Sequence, residues 1–194
     1  QLMTAYVLLS DIRTNTLSLG KSLTVPEAAT QVDGARIFLK AGDQVSVDTL
    51  LQAMLVHSAG DATLTLVTAT HGSEAAFVER MNREAARLGM SRTRFRNATG
   101  LAEPGHESSA RDLALLGRAL ARDFPERQAY FTQKALDFRG ITYYNSNRLL
   151  WRDNTVTGLK VGHTPQAGYC MAASAQRGEQ QRIAVVLDAR SDAQ

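Results

Sequence analysis

Past residue 155 the chain turns from helical to extended patterning, and this stretch limits the fold more than any other. Residues 168–175 and 182–187 read as two antiparallel strands joined by the polar turn Gln176-Arg-Gly-Glu-Gln-Gln181. Ahead of them, Val156-Thr-Gly-Leu-Lys-Val-Gly-His-Thr164 reads as a strand entering the same hairpin. Helices dominate the middle of the chain and strands its end, and runs of helices bounded by strands suggest a sheet covered by helices. Lysine and glycine are poor strand formers, so local propensity does not account for Gly158, Lys160 and Gly162. A glycine in a strand marks close approach of a ligand or of another backbone.

The remaining segments fit a helical layer over that sheet. Gln1 to Leu9 is helical in pattern, with Leu2, Met3, Tyr6 and Val7 on one face and no cap before it, so the start of the chain reads as abrupt. Residues 21–25 and 36–40 are short and strand-like, and Ala41-Gly-Asp-Gln44 supplies a turn before Ser46 caps a helix bearing Leu50, Leu51, Met54 and Leu55. Ser58-Ala-Gly-Asp61 interrupts the period, which resumes over 62–70 as a small-residue buried helix. Ser73 caps an amphipathic helix in which Phe77, Met81, Ala85 and Leu88 recur at helical spacing until Gly89. Arg92, Arg94 and Arg96 alternate with Thr93 and Phe95 and read as a solvated strand face. Ser109 with Asp112 opens a helix carrying Leu113, Leu116 and Leu120, closed near Phe124-Pro125, and residues 135–144 are hairpin-like. With no repeat and no low-complexity linker, the expectation is one α+β domain over 1–194, an antiparallel sheet covered by helices.

Composition narrows the function. A chain of 194 residues with 44% hydrophobic and 21% charged content and 4 prolines is that of an ordered globular protein. A formal charge of +3 suits an anionic ligand and falls short of a nucleic-acid-binding signature. No apolar run reaches the roughly 18 residues of a spanning helix, and no basic, apolar leader opens the chain. The lone Cys170 excludes an internal disulfide and is expected as a buried thiol, and Trp151, following Leu149 and Leu150, is expected in the core. His57, His71, His106 and His163 lack paired-ligand spacing, and neither a phosphate-binding nor a dinucleotide fingerprint occurs. No metal or organic cofactor is implied.

Two short stretches remain that could carry chemistry, Ser58-Ala-Gly-Asp-Ala62 and Leu159-Lys-Val-Gly-His-Thr164. A helix, a loop serine, further helices and a Lys-x-Gly strand, in that order, resemble the penicillin-recognising serine enzymes with their SxxK, SxN and KTG motifs. Leu2-Met-Thr-Ala-Tyr-Val7, Ala76-Phe-Val78, Met81-Asn82, Leu88-Gly89, Ser108-Ser-Ala-Arg-Asp112 and Asn147-Arg-Leu-Leu-Trp151 extend the likeness along nearly the whole chain. They resemble a D-alanyl-D-alanine carboxypeptidase of the low-molecular-mass penicillin-binding proteins. The resemblance implies a β-lactamase/DD-peptidase-like fold, a periplasmic or cell-envelope setting, and peptidoglycan stem peptides and β-lactams as ligands. In that family a serine attacks the D-Ala-D-Ala carbonyl with help from a desolvated lysine. The SxN serine relays protons, and the KTG strand lies antiparallel to the substrate, its lysine drawing in the terminal carboxylate.

Every motif departs from that pattern. The likeness puts Gln1 where the general-base lysine belongs and the nucleophilic serine ahead of residue 1. It also leaves the family's upstream strands and closing helix outside the chain. Gly60 stands where the SxN asparagine would hold the substrate carbonyl, and Val161 replaces the KTG threonine. Ser58 and Lys160 match the family, with Gly162, His163 and Thr164 beside them as substrate-facing positions. Read without the resemblance, Ser58 is a helix-capping serine, Lys160 a solvated edge-strand lysine, and His163 and Thr164 strand-end residues. Two functions stay open: a serine carboxypeptidase of cell-wall metabolism, or an inactive module that binds peptidoglycan or a partner.

Overall fold

The computed structural model describes residues 1–191, and its architecture follows from which helices must cover the C-terminal sheet. That sheet has three antiparallel strands, β5 (Val156–Thr164), β6 (Gly168–Arg177) and β7 (Gln180–Ala189), in the order β5-β6-β7. Two short antiparallel pairs lie earlier in the chain, β1 (Ser22–Thr24) with β2 (Gln44–Ser46) across an intervening helix, and the hairpin β3 (Ala135–Phe138) with β4 (Ile141–Tyr144). The helices are α1 (Leu2–Arg13), α2 (Glu27–Thr30), α3 (Val47–His57), α4 (Gly60–His71), α5 (Glu74–Arg87), α6 (Ala110–Asp123), α7 (Ala129–Thr132) and α8 (Leu149–Arg152).

Helix α1 is buried from Leu2 through Leu9, Thr4 included, so it is a central helix and not one with a single apolar face. Thr4 Oγ1 is satisfied by donating to the Ala98 carbonyl at 2.7 Å. Helix α4 buries its threonines by a similar device: Thr63 and Thr65 donate to the carbonyls of Ala59 and Asp61, each at 2.8 Å. The caps of α5 and α6 form as the sequence predicts, Ser73 Oγ accepting from Ala76 N–H at 3.1 Å and Ser109 Oγ from Asp112 N–H at 3.2 Å. Helix α6 approaches the sheet through Gly117, where a Cβ would lie 2.8 Å from Leu159 Cδ1. Leu116 and Leu120 are buried on this helix.

Four expectations need correction. Residues 36–40 form no strand, because Asp61 takes the Ile37 and Leu39 amides that a ladder would have used. Residues 92–96 form no strand either; Arg94 makes one isolated antiparallel bridge, with Glu107. Trp151 is 48% exposed, since the single turn of α8 buries Leu150 and turns its neighbour outward. Cys170 is only half-buried, being paired in register with Gly162, which has no side chain to cover it.

Candidate active site

The site forms where the corner between α3 and α4 meets strand β5. Helix α3 ends at Ser58, which adopts the left-handed conformation (φ 59°, ψ 26°), with the Ala59 amide closing onto the Ala53 carbonyl at 3.2 Å. Serine is not a residue that favours this conformation, and the turn it makes sets the direction of the Cα–Cβ bond, leaving the hydroxyl to be oriented by its partners. Helix α4 then starts at once. Gly60 N–H donates to the Ala35 carbonyl at 2.7 Å. The Asp61 carboxylate, 1% exposed, accepts from the amides of Ile37 (3.2 Å), Leu39 (3.0 Å) and Ala62 (2.9 Å). An acid in the first turn also complements the helix dipole. Asp61 therefore fastens the loop over residues 35–39 to the corner that carries Ser58.

From across the sheet, Lys160 reaches this corner. Its Nζ donates to Ser58 Oγ and, at 3.0 Å, to the Val161 carbonyl. Although the residue keeps some exposure along its length, its ammonium is withdrawn from water, and desolvation lowers its pKa to about 8. Lys160 is thus not a solvated edge lysine, and Ser58 makes no capping bond with its side chain. His57 lies close enough to feel that charge: burial, and then Lys160, push its pKa down, and its ring packs 4.8 Å from that of Tyr143.

The three departing positions each have a structural setting. Gln1 donates its Nε2 hydrogen to the Ser58 carbonyl at 3.0 Å, so the amide tethers the corner. An amide nitrogen has no basic lone pair and cannot take the proton a lysine would. At Gly60 a Cβ would meet both methyls of Val32 at 3.1 Å, so Val32 occupies the direction an asparagine side chain would need. Val161 offers no hydroxyl beside Lys160.

The glycines of β5 divide into two kinds. Gly158, at φ 128°, packs against Phe131, with a Cβ there 2.7 Å from Phe131 Cβ; its approach is to the protein's own α7. Gly162 has nothing within 4 Å of a Cβ position and leaves open space on the same strand face as Lys160. Strand β5 is an edge strand, laddered to β6 alone among the described strands. His163 is exposed and lies against Tyr169 at 4.1 Å between ring centroids, while Thr164 Oγ1 accepts from Ala167 N–H at 3.0 Å and so closes the turn.

Ser58, Lys160 and Gln1 are therefore brought together, with Gly60, Val161 and Gly162 adjacent. His163 and Thr164 sit further along β5. Sequence reasoning missed Val32, Asp61 as the loop anchor, and His57. An acid follows the helix break at Asp61, but nothing local marks it as buried or as a loop anchor, and nothing local marks Val32.

Comparison with known proteins bears on this arrangement. A sequence profile described as D-alanyl-D-alanine carboxypeptidase matches residues 1–191. D-alanyl-D-alanine carboxypeptidase DacC of Escherichia coli (strain K12) is 39% identical over 199 residues, which is 99% of this chain and 50% of that protein. Penicillin binding protein 6B from Escherichia coli superimposes with a TM-score of 0.93 at 39% identity, covering 99% of this chain and 63% of that one. Penicillin-Binding Protein D2 from Listeria monocytogenes, in its ampicillin-bound form, gives a TM-score of 0.86 at 34% identity over 98% of this chain and 78% of that one. The chain spans about half the length of the curated relatives it matches.

Proposed function

The chain belongs to the D-alanyl-D-alanine carboxypeptidase family, and from that membership we propose that it is the peptide-recognising part of a serine-type carboxypeptidase-family protein of peptidoglycan metabolism. The ligand is a stem peptide ending in D-alanyl-D-alanine, in the periplasm or cell envelope, and β-lactams enter the same cleft. The observation that carries this reading is the edge strand β5 presenting a desolvated lysine, bonded to Ser58, beside the open space at Gly162. An extended peptide can add to a free strand edge through its backbone, and its terminal carboxylate is drawn to the Lys160 ammonium.

In this reading, turnover needs an acylated serine supplied by polypeptide ahead of Gln1. Ser58 and Lys160 would pass a proton toward the departing D-alanine, and water would release the acyl group. The substitutions weaken each step. Gln1 removes the proton acceptor, Gly60 removes an amide for the substrate carbonyl, and Val161 removes a hydroxyl for the carboxylate. Loss of one such positioned donor costs on the order of a hundredfold or more in rate. The tether from Gln1 to the Ser58 carbonyl supports a second reading, a non-catalytic module that keeps the cleft and binds stem peptides.

Labelling of the parent protein with a fluorescent penicillin separates the two. A covalent adduct of one β-lactam supports the carboxypeptidase. Absence of an adduct in folded protein that still binds stem peptide supports the module. Absence of both refutes the common premise.

A further inference from the structure

We propose that Ser58 is an acyl acceptor in its own right, which with Lys160 as its proton acceptor takes the acyl group of a small, uncharged, activated ester. This activity would be separate from any chemistry on D-alanyl peptides and requires no residue outside the chain. Three observations converge on it. Ser58 Oγ and Lys160 Nζ are in direct hydrogen-bonded contact, brought together from positions 102 residues apart. The serine backbone is held by its left-handed turn, by the Gln1 amide on its carbonyl, and by the Asp61 anchor three residues on. The face of β5 next to Lys160 is open at Gly162, and Ser58 itself is only half-buried, so a small ester has room to arrive.

A hydroxyl becomes a nucleophile when an adjacent group accepts its proton. Burial holds Lys160 at a pKa of about 8, so roughly one molecule in ten carries the neutral amine at pH 7. A ligand with a carboxylate would pair with the ammonium and keep that proton in place, which is why the ester must be uncharged. In the step, Ser58 Oγ attacks the acyl carbon and an Oγ–C bond forms. The ester C–O bond breaks, the aryloxide leaves with its electron pair, and the Oγ proton moves to Lys160 Nζ. No oxidant, metal or co-reactant is needed. The amides beside the serine are committed elsewhere, Ala59 to the Ala53 carbonyl and Gly60 to the Ala35 carbonyl, so neither is free to steady the oxyanion. The expected outcome is therefore one acylation per molecule with little turnover.

The test is incubation of the purified protein with p-nitrophenyl acetate, following nitrophenolate release and mapping the acetyl group by tandem mass spectrometry. The expected result is a burst of about one equivalent with the acetyl group on Ser58, an effective nucleophile needing an adjacent base. Ser58→Ala should abolish the burst, Ser58→Cys should retain it as a thioester, and Lys160→Met should slow it about a hundredfold. The mapping is made on the unaltered protein, so it holds even if a variant fails to fold. Acetylation confined to Cys170 or to lysines, a burst unchanged in Ser58→Ala, or no acetylation at all would each overturn the proposal. Stem-peptide binding measured on the same sample would still stand, so failure here is distinguishable from failure of the proposed function.

Discussion

Val32 and Gly60 form a pair that neither residue announces alone. With Val32 methyls 3.1 Å from where a Cβ would sit, Gly60→Asn should cost about 1–3 kcal/mol, the range for overpacking a filled site. Val32→Ala in the same chain should recover most of it. A urea-denaturation cycle over the four proteins checks this, and additive effects would show that the two do not compete for space. Lys160 carries a prediction about pH. Its folded pKa of about 8 lies below the ordinary value of 10.5, so between those limits the unfolded chain binds more protons and stability rises with pH. The burial cost is complete below about pH 8 and gone above about pH 10.5; at 1.36 kcal/mol per unit it is about 3 kcal/mol. The stability advantage of Lys160→Met over the unaltered protein should shrink by about that amount between roughly pH 7 and pH 11. A constant difference would mean that Lys160 is not desolvated. Ser58 and Lys160 could be picked out from the sequence because they stand in a recurrent motif order. Val32 and Asp61 could not, because their roles depend on contacts with residues about 22 to 28 positions away that share no local pattern.

Elements were readable where their determinants are local. The caps at Ser73 and Ser109 and the apolar spacing behind them specify α5 and α6, and both form as expected. The terminal hairpin follows from alternation, although β6 and β7 extend further toward their turn than the pattern alone marks. Residues 36–40 alternate as a strand would, yet their amides go to a single carboxylate from the next helix, a choice visible only in three dimensions. Strand β5 shows the same limit. Its two flanking glycines look equivalent in sequence, but Gly158 meets α7 and Gly162 meets open space. Gly158→Ala combines a backbone at φ 128° with a Cβ 2.7 Å from Phe131, and should destabilise the protein by about 2 kcal/mol or more. Gly162→Ala, with nothing to strike, should leave stability within about 0.5 kcal/mol. Thermal unfolding of the pair checks the contrast; equal losses would remove the distinction between a packing glycine and a ligand-facing one.

At the scale of the molecule, the helical layer meets the Lys160 ammonium on β5, whose outer edge pairs with no other described strand. Helix α6 fits closely to the sheet through Gly117, α7 and α8 support β5, and the α3–α4 corner brings a hydroxyl to the lysine. The antiparallel sheet under a helical cover was readable from the order of patterns and from the family likeness. The way two of the three altered motif positions are absorbed, by a tether at Gln1 and by Val32 over Gly60, was not. What survives those changes is the Ser58–Lys160 contact beside the open space at Gly162, on which the proposed recognition of a peptide ending in a carboxylate rests. The most direct measurement is calorimetric titration with a stem pentapeptide ending in D-alanyl-D-alanine, set against the same peptide with a C-terminal amide. The expected result is binding of the free acid, at least tenfold weaker binding of the amide, and loss of that difference in Lys160→Met, as for a charge-assisted contact of about 1.4 kcal/mol or more. Equal binding of acid and amide, or no binding of either by folded protein, would contradict it.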